Sequence, residues 1–147
     1  MLLSVAPSFA ATPPGKAPAS SSQGKVYLAQ AVTIGSSAKP AIRVFNTRAD
    51  ALAAILQNNI ILGTLYDNSP PGGDSLVVYG PSCNQVGVGD HGSMDNRTSS
   101  VDNSCTSVTL YSLQNYDGAG VTLPNGRTNY VGDPMNDRAN SVKFFTT

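Results

Sequence analysis

The chain has 147 residues, enough for one domain with a proper core and an additional tail. Nine Lys and Arg balance nine Asp and Glu, and only 12% of residues are charged, so there is no basic field to hold nucleic acid or an anionic membrane surface. Fourteen Gly and ten Pro, with many Ser, Thr and Asn, favour turns and short strands over long helices.

Met1 to Ala11 is apolar, with the small residues Ser8 and Ala10 placed as a signal peptidase would want them. It lacks a basic head and a long apolar segment, so residues 1–10 read as a signal-peptide remnant, and the chain as secreted. Residues 11–24, rich in Ala, Pro, Ser and Gly, have almost nothing to bury and read as a disordered linker. Nothing elsewhere approaches the roughly eighteen apolar residues needed to span a membrane.

Residues 25–59 form an N-terminal extension. Lys25 to Gly35 contains a strand-like run, and Ile42, Val44 and Phe45 suggest a second short strand. From Arg48 the pattern turns helical: Asn46 or Thr47 can cap the first turn, and Leu52, Ile55 and Leu56 share one face. About three turns are expected before Asn58-Asn59 stops the helix, which would cover one side of a following sheet. From Ile60 the chain reads as strands at 61–66, 75–79, 107–111, 120–123 and 141–145, separated by Pro-Gly-Gly, Asp-Gly-Ala-Gly and Asn-Gly turn signals. Short strands at this spacing imply an all-β sandwich.

Cys83 and Cys105 are the two cysteines, and no C-x-x-C spacing of a zinc or thioredoxin-like site occurs. In a secreted chain their natural reading is a disulfide worth roughly 3 kcal/mol in the chain-entropy model. The alternative is two small unpaired buried thiols.

Residues 66–100 and 111–141 repeat one another. Each copy opens on a Tyr, Tyr66 or Tyr111, followed seven positions later by Gly73 or Gly118. Each closes on a pair of Asp and Asn residues followed by Arg: Asp95-Asn96-Arg97-Thr98-Ser99-Ser100 and Asn136-Asp137-Arg138-Ala139-Asn140-Ser141. Repeats of this length mark duplicated supersecondary units. The opening element requires aromatics around a tight fold-over, with Gly where the backbone takes a positive φ or approaches a ring. The second copy has Tyr111, Tyr116 and Gly118, whereas the first has Pro71 in place of its second aromatic and should stack less well. The closing loops supply carboxylate, amide, hydroxyl and carbonyl oxygens, the hard donors that suit calcium, without EF-hand spacing. Such residues also make capped turns with no ion. Asp102 to Ser107 fits the same loose pattern but reads as a connector.

Tyr-x4-aromatic-x-Gly followed by a closing Asn/Asp-Asn/Asp-x-x-Ser/Thr-Ser loop, twice over residues 60–147, resembles the βγ-crystallin family, including its secreted microbial single-domain members. The resemblance implies two Greek-key motifs in a two-sheet sandwich with two calcium sites at one end. Each ion would be held by oxygens from both motifs. The implied ligands are Asp95, Asn96, the Arg97 carbonyl and Ser99 in the first motif, and Asn136, Asp137, the Arg138 carbonyl and Asn140 in the second. Asn140 stands at a hydroxyl position and departs from the pattern, which weakens or empties its site. The resemblance also implies Ser100 to Tyr111 as a strand, turn and strand linking the motifs.

These readings make the chain a secreted, monomeric calcium module and not an enzyme. His91, the single histidine, lies in Gly89-Asp90-His91-Gly92 and reads as a solvated loop residue rather than a catalytic base. Asn96-Arg97-Thr98 is also a glycosylation sequon, which would compete with a metal on the same loop. The rival function is a secreted metalloproteinase inhibitor or toxin-like antimicrobial of the same fold, acting on a protease or cell-surface component. In that case the cysteine bridge would stiffen a loop for a cleft.

Overall fold

The computed structural model describes residues 23–146. The expected signal-peptide remnant at 1–10, and the linker up to residue 22, lie outside the described residues. Gln23 and Gly24 are not linker: they begin the first strand, β1 (Gln23–Gln30), because their backbone meets a paired partner at Gly73.

Six strands form the repeated part: β4 (Ile60–Tyr66), β5 (Gly73–Gly80), β6 (Val86–Val88), β7 (Ser100–Leu113), β8 (Asp117–Thr128) and β9 (Ser141–Phe145). β7 serves two sheets. Its start, 100–103, pairs with β4, and its later part, 107–111, pairs with β9, while β8 follows it along the opposite edge. The first sheet is therefore β5, β4, the start of β7 and the end of β8, and the second is β6, β9, the rest of β7 and the start of β8. Each motif lends its third strand, β6 or the 126–128 end of β8, to the sheet of the other. This is an all-β sandwich of two intercalated Greek keys.

The expected turn between the two motifs is absent, and so is an Asn-Gly hairpin after residue 123. The ladder between β7 and β8 instead shifts register between Asn103 and Ser107, and both strands bend through the corner. Side-chain amides take the backbone groups that the bulge frees. Asn125 Nδ2 donates to the Asn103 and Cys105 carbonyls, Asn103 Nδ2 donates to Pro124 O, and Cys105 N–H donates to Asn103 Oδ1. Gly126, at φ +100°, provides the left-handed backbone at the bend. The Cys83–Cys105 disulfide pins the β5–β6 connection to this corner.

The extension is woven into the same framework. β1 adds to the first sheet in parallel with β5, and β2 (Val32–Thr33) adds to the second against β6, so a single segment bridges both. β3 (Arg43–Phe45) pairs with β1. The helix α1 covers only Arg48–Ala53, shorter than its sequence pattern suggests, with Thr47 Oγ1 accepting from Asp50 N–H at 3.1 Å. Its end tightens into Ala54→Ala51 and Ile55→Leu52 backbone bonds, Asn58 turns left-handed, and the Asn59 amide caps the Leu56 and Gln57 carbonyls. That early stop leaves Leu56 exposed. Ala51, Leu52 and Ile55 still cover the first sheet, packing with Val26, Leu28, Val77 and Tyr79.

The main core lies between the sheets, where Leu62, Leu65, Val101, Leu110, Val142 and Phe144 are fully buried. Gly63 is obligatory there, since a Cβ would lie 2.7 Å from the Phe144 ring. No helix among the described residues is long and apolar enough to cross a membrane. Because the disulfide closes 22 residues across the corner, a Cys83→Ser/Cys105→Ala double variant should lose roughly 3 kcal/mol in urea titration. An unchanged midpoint would show that the corner holds without it.

Candidate metal centre

The closing loops of the two motifs lie side by side, and they are built alike. In each, a methionine, Met94 or Met135, is buried and anchors a tight turn: Met94 N–H bonds to His91 O and Met135 N–H to Gly132 O. Two residues later the chain turns left-handed, at Asn96 (φ 59°) and Asp137 (φ 58°), a conformation that Asn and Asp tolerate better than other side chains. The next equivalent pair, Thr98 and Ala139, is fully buried. Ser99 N–H then bonds to Tyr66 O and Asn140 N–H to Tyr111 O, both at 2.8 Å. Finally the buried Ser100 and Ser141 hydroxyls donate to the carbonyls of Asn68 and Leu113, both at 2.6 Å. The repeated Tyr and the repeated Ser thus close each Greek key on itself.

Reciprocal bonds join one loop to the other. Asn96 N–H donates to Ala139 O at 3.1 Å, and Asp137 N–H donates to Thr98 O at 3.0 Å. The left-handed turn aims each N–H across a local pseudo-twofold axis.

The side chains around this axis are unequal. On one side Ser99 Oγ faces Asp137 Oδ1 at 3.4 Å, Asn136 Nδ2 reaches Asp137 Oδ2 at 3.2 Å, and Asn136 Oδ1 is buried without a partner. On the other, Asn140 Oδ1 accepts from Asn96 N–H and its Nδ2 donates to Ser112 O, each at 3.0 Å. Its amide occupies both of its bonding ends within the protein. Asp95 turns back on its own turn, where Oδ1 accepts from His91 N–H at 3.1 Å. Burial, and the charge of Asp90, raise its carboxyl above the usual range. The Arg97 guanidinium leaves the loop pair for hairpin β4–β5, where Nη2 meets Asp67 and Asp74 at 2.6 Å each. Arg138 is exposed.

The donor set fits a hard cation on the Ser99–Asp137 side. A carboxylate and a hydroxyl from two different loops face each other there, and the Asn136 amide lies against the carboxylate through Nδ2. On the Asn140 side the amide oxygen already accepts the Asn96 N–H and keeps one lone pair, which makes the donor set there the weaker of the two. No group of three or more His, Cys, Asp or Glu among the described residues is placed to hold a metal, so any ion would depend on hydroxyl, amide and carbonyl oxygens beside the single Asp137 carboxylate.

Sequence reasoning missed Asp67 and Asp74. The available signal was that they directly follow the motif Tyr and Gly of the first copy, where the second copy has Ser112 and Ala119. The aromatic reading of the second copy holds: Tyr111 and Tyr116 meet edge to face at 6.1 Å, with Lys143 Nζ over both rings, and Gly73 and Gly118 take φ of +75° and +80°.

His91 is not solvated. It is fully buried, its N–H bonds to Asn140 O as well as to Asp95, and neither ring nitrogen has a partner. Burial lowers its pKa from 6.5 to about 4, against the opposing influence of the Ala139 backbone and Asp90. The unfolded chain therefore binds more protons between those values, and the stabilising contribution, complete above pH 6.5, is lost as pH falls towards 4. Urea titrations should show a loss of roughly 3 kcal/mol over that window, and His91→Leu should flatten the slope. An equal slope in the variant would place the titrating group elsewhere.

No family model matches this chain, and no curated protein matches it. Among solved structures, it is similar to one described as concerning the evolution of the eye lens βγ-crystallin domain fold, at 21% identity and a TM-score of 0.50, covering 58% of this chain and 86% of that one. A βγ-crystallin domain from Clostridium beijerinckii aligns at 22% identity and a TM-score of 0.48, over 58% of this chain and 99% of that one. A βγ-crystallin from Ciona intestinalis aligns at 18% identity and a TM-score of 0.46, over 56% and 96%. With its exchanged third strands and duplicated Tyr-to-Gly hairpins, the chain has the βγ-crystallin domain fold.

Proposed function

We propose that this protein is a secreted calcium-binding βγ-crystallin module, non-enzymatic and monomeric, in which one ion bound between the two closing loops stabilises the fold. The observation that carries the reading is the meeting of Ser99 and Asp137, from different motifs, at 3.4 Å. Two oxygen donors held that close by reciprocal backbone bonds are preorganised for a cation that each contacts. The Asn136 amide lies beside them with Nδ2 on Asp137 Oδ2, and would offer its oxygen on turning over. A bound calcium would supply the positive charge that lets Asp137, Ser99 and Asn136 converge.

Ligand charge sets the expected strength. A single carboxylate places affinity in the range of about 10⁻⁵ to 10⁻³ M, suited to extracellular calcium and too weak to buffer cytosolic pulses. At free calcium a hundredfold above its dissociation constant, linkage adds about 2.7 kcal/mol to stability. The Cys83–Cys105 disulfide accords with export from the cell.

Calorimetric titration should give one ion per chain, and chelator should lower the melting temperature. Asp137→Ala should abolish both effects while leaving the apo fold intact. Asp95→Ala should cost about 1 kcal/mol from its lost hydrogen bond and leave calcium uptake in place. Calcium binding unchanged in Asp137→Ala would defeat the assignment, and inhibition of a thermolysin-type protease with no calcium-dependent melting shift would favour the inhibitor reading.

A further inference from the structure

We propose that Asp74 is a positioning residue for the loop that carries Ser99, and that through it the docking of β1 and the affinity of the cation site are coupled; this rests on the calcium reading above. The ladder between β1 and β5 slips register between Gln23 and Val26. A backbone N–H at such a bulge loses its strand partner. Lys25 N–H donates instead to Asp74 Oδ1, at 2.8 Å. The other oxygen of the same carboxylate accepts from Arg97 Nη2 at 2.6 Å, and Asp67 Oδ2 accepts from that nitrogen at the same distance. Arg97 Nη1 closes the arrangement on Ser93 O at 3.0 Å. One carboxylate therefore holds the start of β1 with one oxygen and the Asp95–Ser100 loop with the other.

Arg97 stands between the left-handed Asn96 and the donor Ser99. Fixing its side chain against hairpin β4–β5 restricts the peptide that sets where Ser99 Oγ points. Burial alone would raise the Asp74 carboxyl, but the bonds from Arg97 and from Lys25 N–H hold it below the usual range.

The second motif shows that the device is not needed to fold such a loop. There the positions of Asp67 and Asp74 are Ser112 and Ala119, Arg138 is exposed, and among the described residues no extension strand arrives at the hairpin, yet the left-handed turn and both closing hydrogen bonds form. What the first motif adds is a link to the N-terminal segment. Gly24 is what permits it, since a Cβ there would stand 2.0 Å from Asp74 Oδ1 and 2.5 Å from Asp74 N.

The test uses the full chain with calcium chloride as the probe. Gly24→Ala and Asp74→Asn should each weaken calcium binding about fivefold or more in calorimetry, and Asp74→Glu, which keeps the charge, should recover part of that loss. Because coupling is reciprocal, calcium should slow amide hydrogen exchange at Val26 to Gln30 in the wild type and not in Asp74→Asn. Unchanged affinity in both folded variants overturns the coupling and leaves the calcium reading standing. Should the wild type take up no calcium, the calcium reading falls, and exchange at Asn96 to Ser99 in chelator decides the positioning role: faster exchange in Gly24→Ala and Asp74→Asn supports it, and wild-type rates overturn it.

Discussion

Two backbone hydrogen bonds, Asn96 N–H to Ala139 O and Asp137 N–H to Thr98 O, organise the end of the molecule where chemistry is available. They form because the same position of each repeat takes a left-handed turn. Asn and Asp are the side chains that enter this region at least cost after glycine, and unlike glycine they bring an oxygen with them. The same residues that shape the loops therefore arm them. Buried methionines below and the Ser100 and Ser141 hydroxyls beside them fix the loops to the framework, so the oxygens converge without a flexible lid.

The framework beneath depends on strand exchange. β6 and the end of β8 each cross to the other motif's sheet, so neither Greek key has a complete sheet of its own. Such an arrangement requires long strands that bend. The Asn103 and Asn125 amides make the bend possible by satisfying the backbone where the ladder breaks, and the Cys83–Cys105 bridge ties it down. The extension adds to this interdependence by pairing with both sheets. Its Lys25 backbone reaches Asp74, and Asp74 reaches Arg97, so the N-terminal strand and the oxygen-rich loops share one network.

Internal duplication does not make the two halves chemically equal. Ser99 and Asn140 occupy the same place in their motifs, but the hydroxyl faces Asp137, whereas the amide spans from Asn96 N–H to Ser112 O. Arg97 and Arg138 diverge for a similar reason, since only the first faces acidic neighbours. His91 was misjudged from sequence because a Gly-flanked histidine reads as exposed. In the fold, the turn that carries it tucks under the second loop and excludes water from its ring.

Fold class was written in the chain itself: short β-branched runs, Tyr-to-Gly hairpins and duplicated closing loops are local signals that depend on neighbouring residues, and they identified most strands but not β6, the corner, the start of β1 or the helix length. Which residues meet was not, because those pairings join positions far apart in the chain. Asp137 with Ser99, Asp74 with both Arg97 and Lys25, and His91 beneath Asn140 follow from where strands cross between sheets. Local letters carry no record of that crossing. Amino-acid order set what each loop could offer, and tertiary packing decided which of those oxygens face one another.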